Sequence, residues 1–107
     1  MPRSLSFAVV SVLHALASGA AYGFEVIDVT GLPSGTVYPM LRRLEGEGLV
    51  RAGWEDAADA RQEQRPPRRY YRLTASGEQL LAAGLARYRM PARSGRARAL
   101  KTRPSQS

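Results

Sequence analysis

Apolar residues recur at intervals of three and four positions in the first half of the chain, a spacing that predicts three helices before Gly48. The first helix begins after Ser4 or Ser6, either of which can cap it, and it ends before Gly19. Its broad apolar face is formed by Leu5, Val9, Val12, Leu13 and Leu16. We therefore expect this face to lie in the core.

The second and third predicted helices are joined by a short connection. The second spans about residues 22–29 and ends at Gly31, while the third starts at Pro33, which is tolerated in a first turn, and spans about residues 33–47. One face of the third helix is apolar and contains Val37, Met40, Leu41 and Leu44. Two helices joined in this way form a helix-turn-helix.

A period of two replaces the helical spacing over residues 49–55 and again over residues 69–73. This alternation predicts two half-buried strands of a hairpin. Trp54 and Tyr71 are interpreted as cross-strand core partners, with base stacking as the alternative. Residues 56–68 form a polar loop without an apolar anchor, and long loops of this kind are usually functional or disordered.

Helical spacing returns after Thr74, which can cap a last helix over about residues 75–90. The element order is therefore helix-helix-helix-strand-strand-helix. The predicted fold is mainly α with a small β-hairpin (α+β), a winged helix-turn-helix domain over residues 1–90. Residues 91–107 are rich in Arg, Ser, Pro and Gly and are predicted to be a basic disordered tail.

The net charge of +7 is concentrated at one end of the chain. Up to Glu78, basic and acidic residues are equal in number, so this part is neutral overall. The excess comes from Arg87, Arg89, Arg93, Arg96, Arg98, Lys101 and Arg103. Total basicity therefore gives no support to nucleic-acid binding by the folded part.

The third helix is the candidate recognition helix, because its outer face combines small, hydroxyl and guanidinium groups that suit the DNA major groove. We predict DNA contacts from Ser34, Gly35, Thr36, Tyr38, Arg42 and Arg43. The alternative is an ordinary surface helix whose polar face is solvated and binds no ligand. Pro39, inside this helix, is either a tolerated proline or part of a flat surface that lets the backbone approach DNA.

The end of the polar loop is basic and stiffened by two prolines, at residues 65–69. The sequence thus predicts a basic, extended wing tip, which suits a phosphate backbone or a minor groove. DNA contacts are predicted here from Arg65, Arg68 and Arg69, with a solvated charged loop as the alternative.

Several segments resemble the PadR family of bacterial transcriptional regulators. They are Ser-Gly-Thr-Val-Tyr-Pro-Met-Leu-Arg-Arg-Leu-Glu, followed by Gly-Leu-Val, and Arg-Pro-Pro-Arg-Arg-Tyr-Tyr-Arg-Leu-Thr with the Thr-Ala-Ser-Gly that opens the last helix. Ala21 stands where the family usually has histidine. The resemblance covers roughly residues 5–88. It implies a sequence-specific regulator, most commonly a repressor, that binds double-stranded DNA as a homodimer through its first and C-terminal helices, and it allows for a small-molecule effector of unidentified chemistry.

Other classes of function have little support in the sequence. There is no cysteine, one histidine, no phosphate-binding glycine loop and no carboxylate pair with a partner base, so we expect no enzyme activity, no metal and no cofactor. No apolar run approaches the roughly 20 residues that span a bilayer, and we expect a cytoplasmic protein. The neutral balance up to Glu78 leaves open a second function, a winged-helix protein-interaction module with weak or no specific DNA binding.

Overall fold

The computed structural model describes residues 5–88. Its elements are α1 (Phe7–Ala17), α2 (Gly23–Thr30), α3 (Ser34–Gly46), β1 (Val50–Trp54), α4 (Ala57–Gln62), β2 (Arg69–Leu73) and α5 (Ala75–Tyr88). The predicted winged helix-turn-helix order is confirmed, with α4 as an addition between the strands. The basic tail and the predicted end of the last helix at Pro91 lie outside the described residues.

Local capping groups fix where the helices begin and end. The Ser6 hydroxyl accepts a hydrogen bond from the Val9 N–H at 3.1 Å, so Ser6 rather than Ser4 caps α1. Gly31 ends α2 with a φ of 74°, a left-handed conformation that favours glycine. The Thr74 hydroxyl accepts from the Gly77 N–H at 3.1 Å and starts α5 as predicted.

The core lies between α1, α2, α3 and α5 and is closed by the hairpin. Its fully buried side chains include Val9, Val10, Val12, Leu13, Val26, Val37, Leu41, Leu44 and Val50. Leu32, in the turn between α2 and α3, packs against this core and supports the angle between the two helices. The buried stripe of α3 therefore fixes which face of that helix points to solvent.

The hairpin has a register that differs from the predicted pairing. Ala52 rather than Trp54 lies opposite Tyr71, and Trp54 lies opposite Arg69. Tyr71 packs against the core, but Trp54 is 63% exposed, so the prediction that Trp54 is its core partner is wrong. The physical reason is that Trp54 lies at the far end of β1, beyond the helices that cover the other inward residues.

A third extended segment joins β2 just before α2. The Tyr71 N–H donates to the Ala21 carbonyl at 2.8 Å, and Tyr22 forms an isolated bridge with Tyr70. The start of α2 is thereby held against the strand that returns from the wing.

The loop between the strands contains the short helix α4. The Asp56 carboxylate caps it by accepting from the Ala58 N–H at 2.7 Å and from the Asp59 N–H at 3.3 Å. Ala60 is completely buried, so the prediction of a loop without an apolar anchor is wrong. The methyl group of alanine is a small anchor, and its burial depends on the folded wing rather than on a local pattern.

Across residues 5–88, no helix combines the length and the hydropathy needed to cross a bilayer.

Gly77 is a site where the fold tolerates no side chain. A Cβ at this position would collide with the backbone carbonyl oxygen of Leu49, which precedes β1. We expect Gly77→Ala to lower the free energy of unfolding by about 1–3 kcal/mol, because the backbone must shift to relieve the overlap. Urea unfolding measures this change.

The matched control is Gly46→Ala, at the exposed end of α3, where a Cβ meets nothing within 4 Å. This substitution should be neutral or stabilising by up to about 1 kcal/mol, since alanine favours the helix. Equal stability of the two variants would contradict the proposed close approach of α5 and the Leu49 backbone.

Candidate nucleic-acid interface

The outward face of α3 is narrow and consists of small and cationic residues. Gly35, Pro39 and Arg42 are all exposed opposite the buried stripe of the helix. Pro39 lies in the sixth position, and a Cβ at Gly35 would meet nothing within 4 Å, so this end of the helix has a flat surface. Such a surface allows close approach of another molecule, while leaving the tolerated-proline interpretation intact.

The remaining predicted residues of α3 lie around this face. Ser34 is exposed in the first turn and Thr36 is half-buried. Arg43 is exposed and lies 3.9 Å from the Glu47 carboxylate one turn later, a long ion pair that leaves its guanidinium accessible. Within residues 5–88, Arg42 has no carboxylate at ion-pair distance. Arg42 is therefore the most available cation of this helix.

Tyr38 projects from the flank of α3 that faces α2 and the wing. It is 41% exposed, and its ring lies so close to Gly23 that a Cβ on that glycine would overlap it. An open cleft of about 280 Å³ lies beside it, lined by Tyr22, Gly23, Phe24, Tyr38, Arg68, Arg69 and Tyr71. Three elements, the start of α2, the middle of α3 and the start of β2, thus meet at one surface.

Arg65 is held inside the wing. Its guanidinium donates to both carboxylate oxygens of Glu55, at 2.5 and 2.9 Å, and to Glu63 at 3.0 Å, and its side chain is only 19% exposed. These contacts raise the pKa of Arg65, chiefly through the hydrogen bonds to Glu55. An arginine with two carboxylate partners has little positive charge left to offer another anion.

Glu55 connects the wing to the helix-turn-helix. Besides Arg65, its carboxylate accepts from the Arg68 N–H at 2.8 Å and from the Tyr22 hydroxyl at 3.4 Å. The Arg65 hydrogen bonds and then the Arg68 N–H lower the pKa of Glu55 to about 2. The prediction that residues 65–69 form the wing tip is wrong: they lie where the loop returns to the sheet, because α4 folds in the preceding part of the loop and occupies the tip.

The two other wing arginines have different environments. Arg69 donates to the Glu45 carboxylate of α3 at 3.1 Å, and its guanidinium lies 5.1 Å from the Trp54 ring centroid. Arg68 is exposed, and its guanidinium lies 4.9 Å from the Phe24 ring centroid. The structure thus brings Arg68, Arg69 and Tyr38 together at the cleft and directs Arg65 to Glu55.

Three further residues of this surface are absent from the sequence-based predictions. Phe24 is 42% exposed and stacks on Tyr22, with ring centroids 5.6 Å apart. Arg51 and Arg72 lie directly opposite each other on the exposed face of the hairpin. The alternation of apolar and polar residues along the two strands already predicts that Arg51 and Arg72 face outward. No sequence pattern distinguishes Phe24 from a core residue of α2.

The candidate ligands for metals are dispersed in the described part of the chain. Residues 5–88 contain no group of three His, Asp or Glu side chains that could hold a metal ion. His14, the only histidine of the sequence, is half-buried in α1, and its Nε2 has no hydrogen-bond partner among these residues.

Comparisons with known proteins give a consistent result. The model of the Transcriptional regulator PadR-like family matches residues 12–83. A PadR family transcriptional regulator from Eggerthella lenta has a similar structure, with a TM-score of 0.62, 29% identity, and coverage of 89% of this chain and 82% of that chain. No match was found among curated protein sequences.

Two other solved structures are similar. BpsR of Bordetella bronchiseptica, whose DNA binding is regulated by 6-hydroxynicotinic acid, has a TM-score of 0.63 and 25% identity, over 83% of this chain and 63% of that chain. PadR of Bacillus subtilis, in complex with operator DNA, has a TM-score of 0.66 and 21% identity, over 92% of this chain and 58% of that chain. At 21% identity, the similarity to Bacillus subtilis PadR shows the fold alone.

The low pKa of Glu55 predicts an acid-sensitive wing. Because the folded pKa, about 2, lies below the ordinary 4.5, its contribution to stability is complete above pH 4.5 and is lost as the pH falls towards 2. We expect Glu55→Gln to be less stable at neutral pH and to lose less stability over this window. Chemical unfolding at a series of pH values measures both effects.

Asp28→Asn removes an exposed carboxylate of α2 and serves as the matched control. It should keep the wild-type acid dependence. If Glu55→Gln lost stability on acidification as steeply as Asp28→Asn, Glu55 would not be the group responsible.

Proposed function

The chain belongs to the PadR-like family of transcriptional regulators, and we propose that it is a repressor that binds a palindromic operator in double-stranded DNA as a homodimer. The observation that carries this proposal is the arrangement of α3, with one stripe buried in the core and a flat, cationic face directed to solvent. Helices of this type enter the major groove in helix-turn-helix proteins. The complex of the similar Bacillus subtilis protein with operator DNA supports duplex DNA as the ligand.

Base reading is assigned to the first three turns of α3, up to Arg43. Arg42 and Arg43 are the cations, and arginine binds guanine edges with two hydrogen bonds. Thr36 and Tyr38 supply hydroxyl groups on either side of this face. Ser34 and Gly35 lie in the first turn, where unpaired backbone N–H groups favour a phosphate. The end of α3 beyond Arg43 is less suited to DNA, because Glu45 and the C-cap residue Glu47 make it acidic.

Backbone contacts are assigned to the wing root, which comprises Arg65, Arg68 and Arg69. Arg68 is the strongest candidate, since its side chain is exposed and has no carboxylate partner in residues 5–88. Arg69 can contact DNA only by sharing its charge with Glu45, and Arg65 only by sharing its charge with Glu55 and Glu63. We therefore expect the contribution to DNA affinity to be largest for Arg68, smaller for Arg69 and smallest for Arg65.

The dimer is assigned to α1 and α5. Phe7 is 56% exposed on α1, and its ring packs edge-to-face against Tyr88 of α5 with centroids 5.5 Å apart. The Tyr88 hydroxyl donates to the Leu5 carbonyl at 2.8 Å, and Gly84 lets α5 lie against Val10. A second copy that covers Phe7 would remove an exposed aromatic ring from water. We expect the dimer to act in the cytoplasm, without a cofactor and without enzyme activity.

A small-molecule effector also belongs to this proposal. It is supported by the similar BpsR protein, whose DNA binding responds to 6-hydroxynicotinic acid.

A second function is favoured by the charge of the wing. Helix α4 and its flanks contain Asp56, Asp59 and Glu63, which repel phosphate and suit a protein partner. In that case the chain would be a protein-interaction module with weak DNA binding. Titration of duplex binding against salt separates the two functions, because phosphate contacts give a steep linear dependence of log K on log salt.

Replacement of the α3 arginines tests the recognition face. After operator selection from genomic fragments at a stated salt concentration, we expect Arg42→Ala and Arg43→Ala each to weaken specific binding by about 1–3 kcal/mol, because each loses a base-edge contact. Fluorescence anisotropy with operator and scrambled duplexes measures specific and non-specific affinity.

Arg61→Ala, which removes an exposed charge from α4, away from α3 and from the proposed dimer helices, is the control. It should leave the ratio of specific to non-specific affinity unchanged. Unaltered operator affinity in both α3 variants would show that another face reads the DNA.

Replacement of Phe7 tests the dimer. Phe7→Arg places a charge in the proposed interface, and we expect it to convert a dimer into a monomer, as measured by light scattering coupled to size exclusion. Val29→Arg is the matched control, because Val29 is a similarly exposed apolar residue, at 61%, on α2. A monomeric wild-type protein, or an equal effect of the two substitutions, would contradict this interface.

A further inference from the structure

The cleft between α2, α3 and β2 contains an arginine that is set up to bind an anion. Arg68 is fixed at its backbone, whose N–H donates to Glu55 at 2.8 Å and whose carbonyl accepts from the Glu55 N–H at 2.9 Å. Its guanidinium lies over the Phe24 ring and has no carboxylate partner in residues 5–88. The acids of the adjoining segments already have partners: Arg65 binds Glu55, Arg69 binds Glu45, and Glu25 accepts from the Ala21 and Tyr22 N–H groups.

Phe24 is the platform for this arginine. A phenylalanine that is 42% exposed at the first turn of a helix contributes little to the core. Its ring is held almost parallel to that of Tyr22, at 3°, and the guanidinium of Arg68 lies 4.9 Å from its centroid. A cation over an aromatic face is attracted to it and loses much of its freedom. Phe24 therefore restricts where the Arg68 guanidinium can lie.

Other hydrogen-bond donors line the same cleft. The Tyr38 hydroxyl lies on the α3 side, against Gly23. Gly23 and Phe24 are the first two residues of α2, and N–H groups at these positions have no acceptor within the helix. The cleft thus combines a guanidinium, a hydroxyl and a helix start, groups that together favour a phosphate.

The position of the cleft indicates which phosphate this is. In duplex DNA one phosphate ridge separates each major groove from the adjacent minor groove. The cleft lies between the reading face of α3 and the wing, so a duplex with α3 in its major groove has that ridge over the cleft. Its volume, about 280 Å³, is below that of sites for drug-sized ligands.

We propose that Arg68, Tyr38 and the start of α2 form a seat for one phosphodiester of the operator, and that Phe24 is a positioning residue which holds Arg68 in it. This inference rests on the proposed DNA binding and adds a specific site to it. Phe24 contributes through Arg68 rather than through a base contact.

The test is a double-mutant cycle on operator affinity as a function of salt. Arg68→Gln should reduce the slope of log K against log salt by about 1, so its affinity falls about fourfold less than that of the wild type between about 50 and about 200 mM salt. Phe24→Ala should shift the slope in the same direction. The double variant should match Arg68→Gln alone, because Phe24 has no role once the arginine is absent.

Three controls separate this role from a structural one. Phe24→Tyr retains the ring and should retain the wild-type slope. Val29→Ala, on the exposed side of α2, and Arg61→Gln, on α4 and outside the cleft, should leave the slope unchanged. Urea unfolding of each variant shows whether enough folded protein is present for the comparison.

The outcomes are distinguishable. A wild-type protein that binds the selected duplex without salt dependence would overturn the proposed function itself. A wild-type protein with a steep slope that Arg68→Gln leaves unchanged would overturn the phosphate seat alone. Additive effects of Phe24→Ala and Arg68→Gln on the slope would refute the positioning role of Phe24. Equal slopes for Arg61→Gln and Arg68→Gln would refute the location of the seat.

Discussion

The pairing of Glu55 with Arg65 is the interaction on which the functional surface depends. A carboxylate that is 12% exposed and accepts two guanidinium bonds, one N–H and one hydroxyl has nearly all its acceptor positions filled. Buried ion pairs contribute less to stability than their Coulomb attraction suggests, because both charges lose their hydration. We infer that the main effect of this pair is geometric: it fixes the return of the wing beside α2, and with it the position of Arg68.

The arginines of the wing and of α3 divide into two groups by their partners. Arg65 and Arg69 are bound to carboxylates and hold the wing to the rest of the domain, whereas Arg42 and Arg68 present their charge to solvent. A count of basic residues conceals this division. Since basic and acidic residues are equal in number over residues 5–88, attraction for a polyanion must come from where the unpaired guanidinium groups lie.

The sequence predicts the helices well because their limits depend on local chemistry. Ser6, Gly31 and Thr74 act within three or four residues of their own positions, and the PadR-like segments identify the order of the elements. The errors concern relations between distant residues. Two of these relations depend on how α4 folds into the long connection: the register that places Trp54 opposite Arg69, and the burial of Ala60. In addition, no periodicity encodes the hydrogen bonds of Arg65 to Glu55, ten positions away. Phe24 likewise acquires its neighbour Arg68 only when the chain is folded.

The distribution of charge along the wing bears on how such a protein would approach DNA. The tip contains Asp56, Asp59 and Glu63 with one cation, Arg61, and is therefore acidic, while the unpaired cation Arg68 lies at the root, next to α3. A phosphate ridge is attracted to the root and repelled by the tip, and at physiological salt these effects act over about 8 Å. Deep insertion of the tip into a minor groove is therefore unfavourable. In the proposed complex, α3 and the wing root therefore form one continuous contact surface, to which α4 does not contribute.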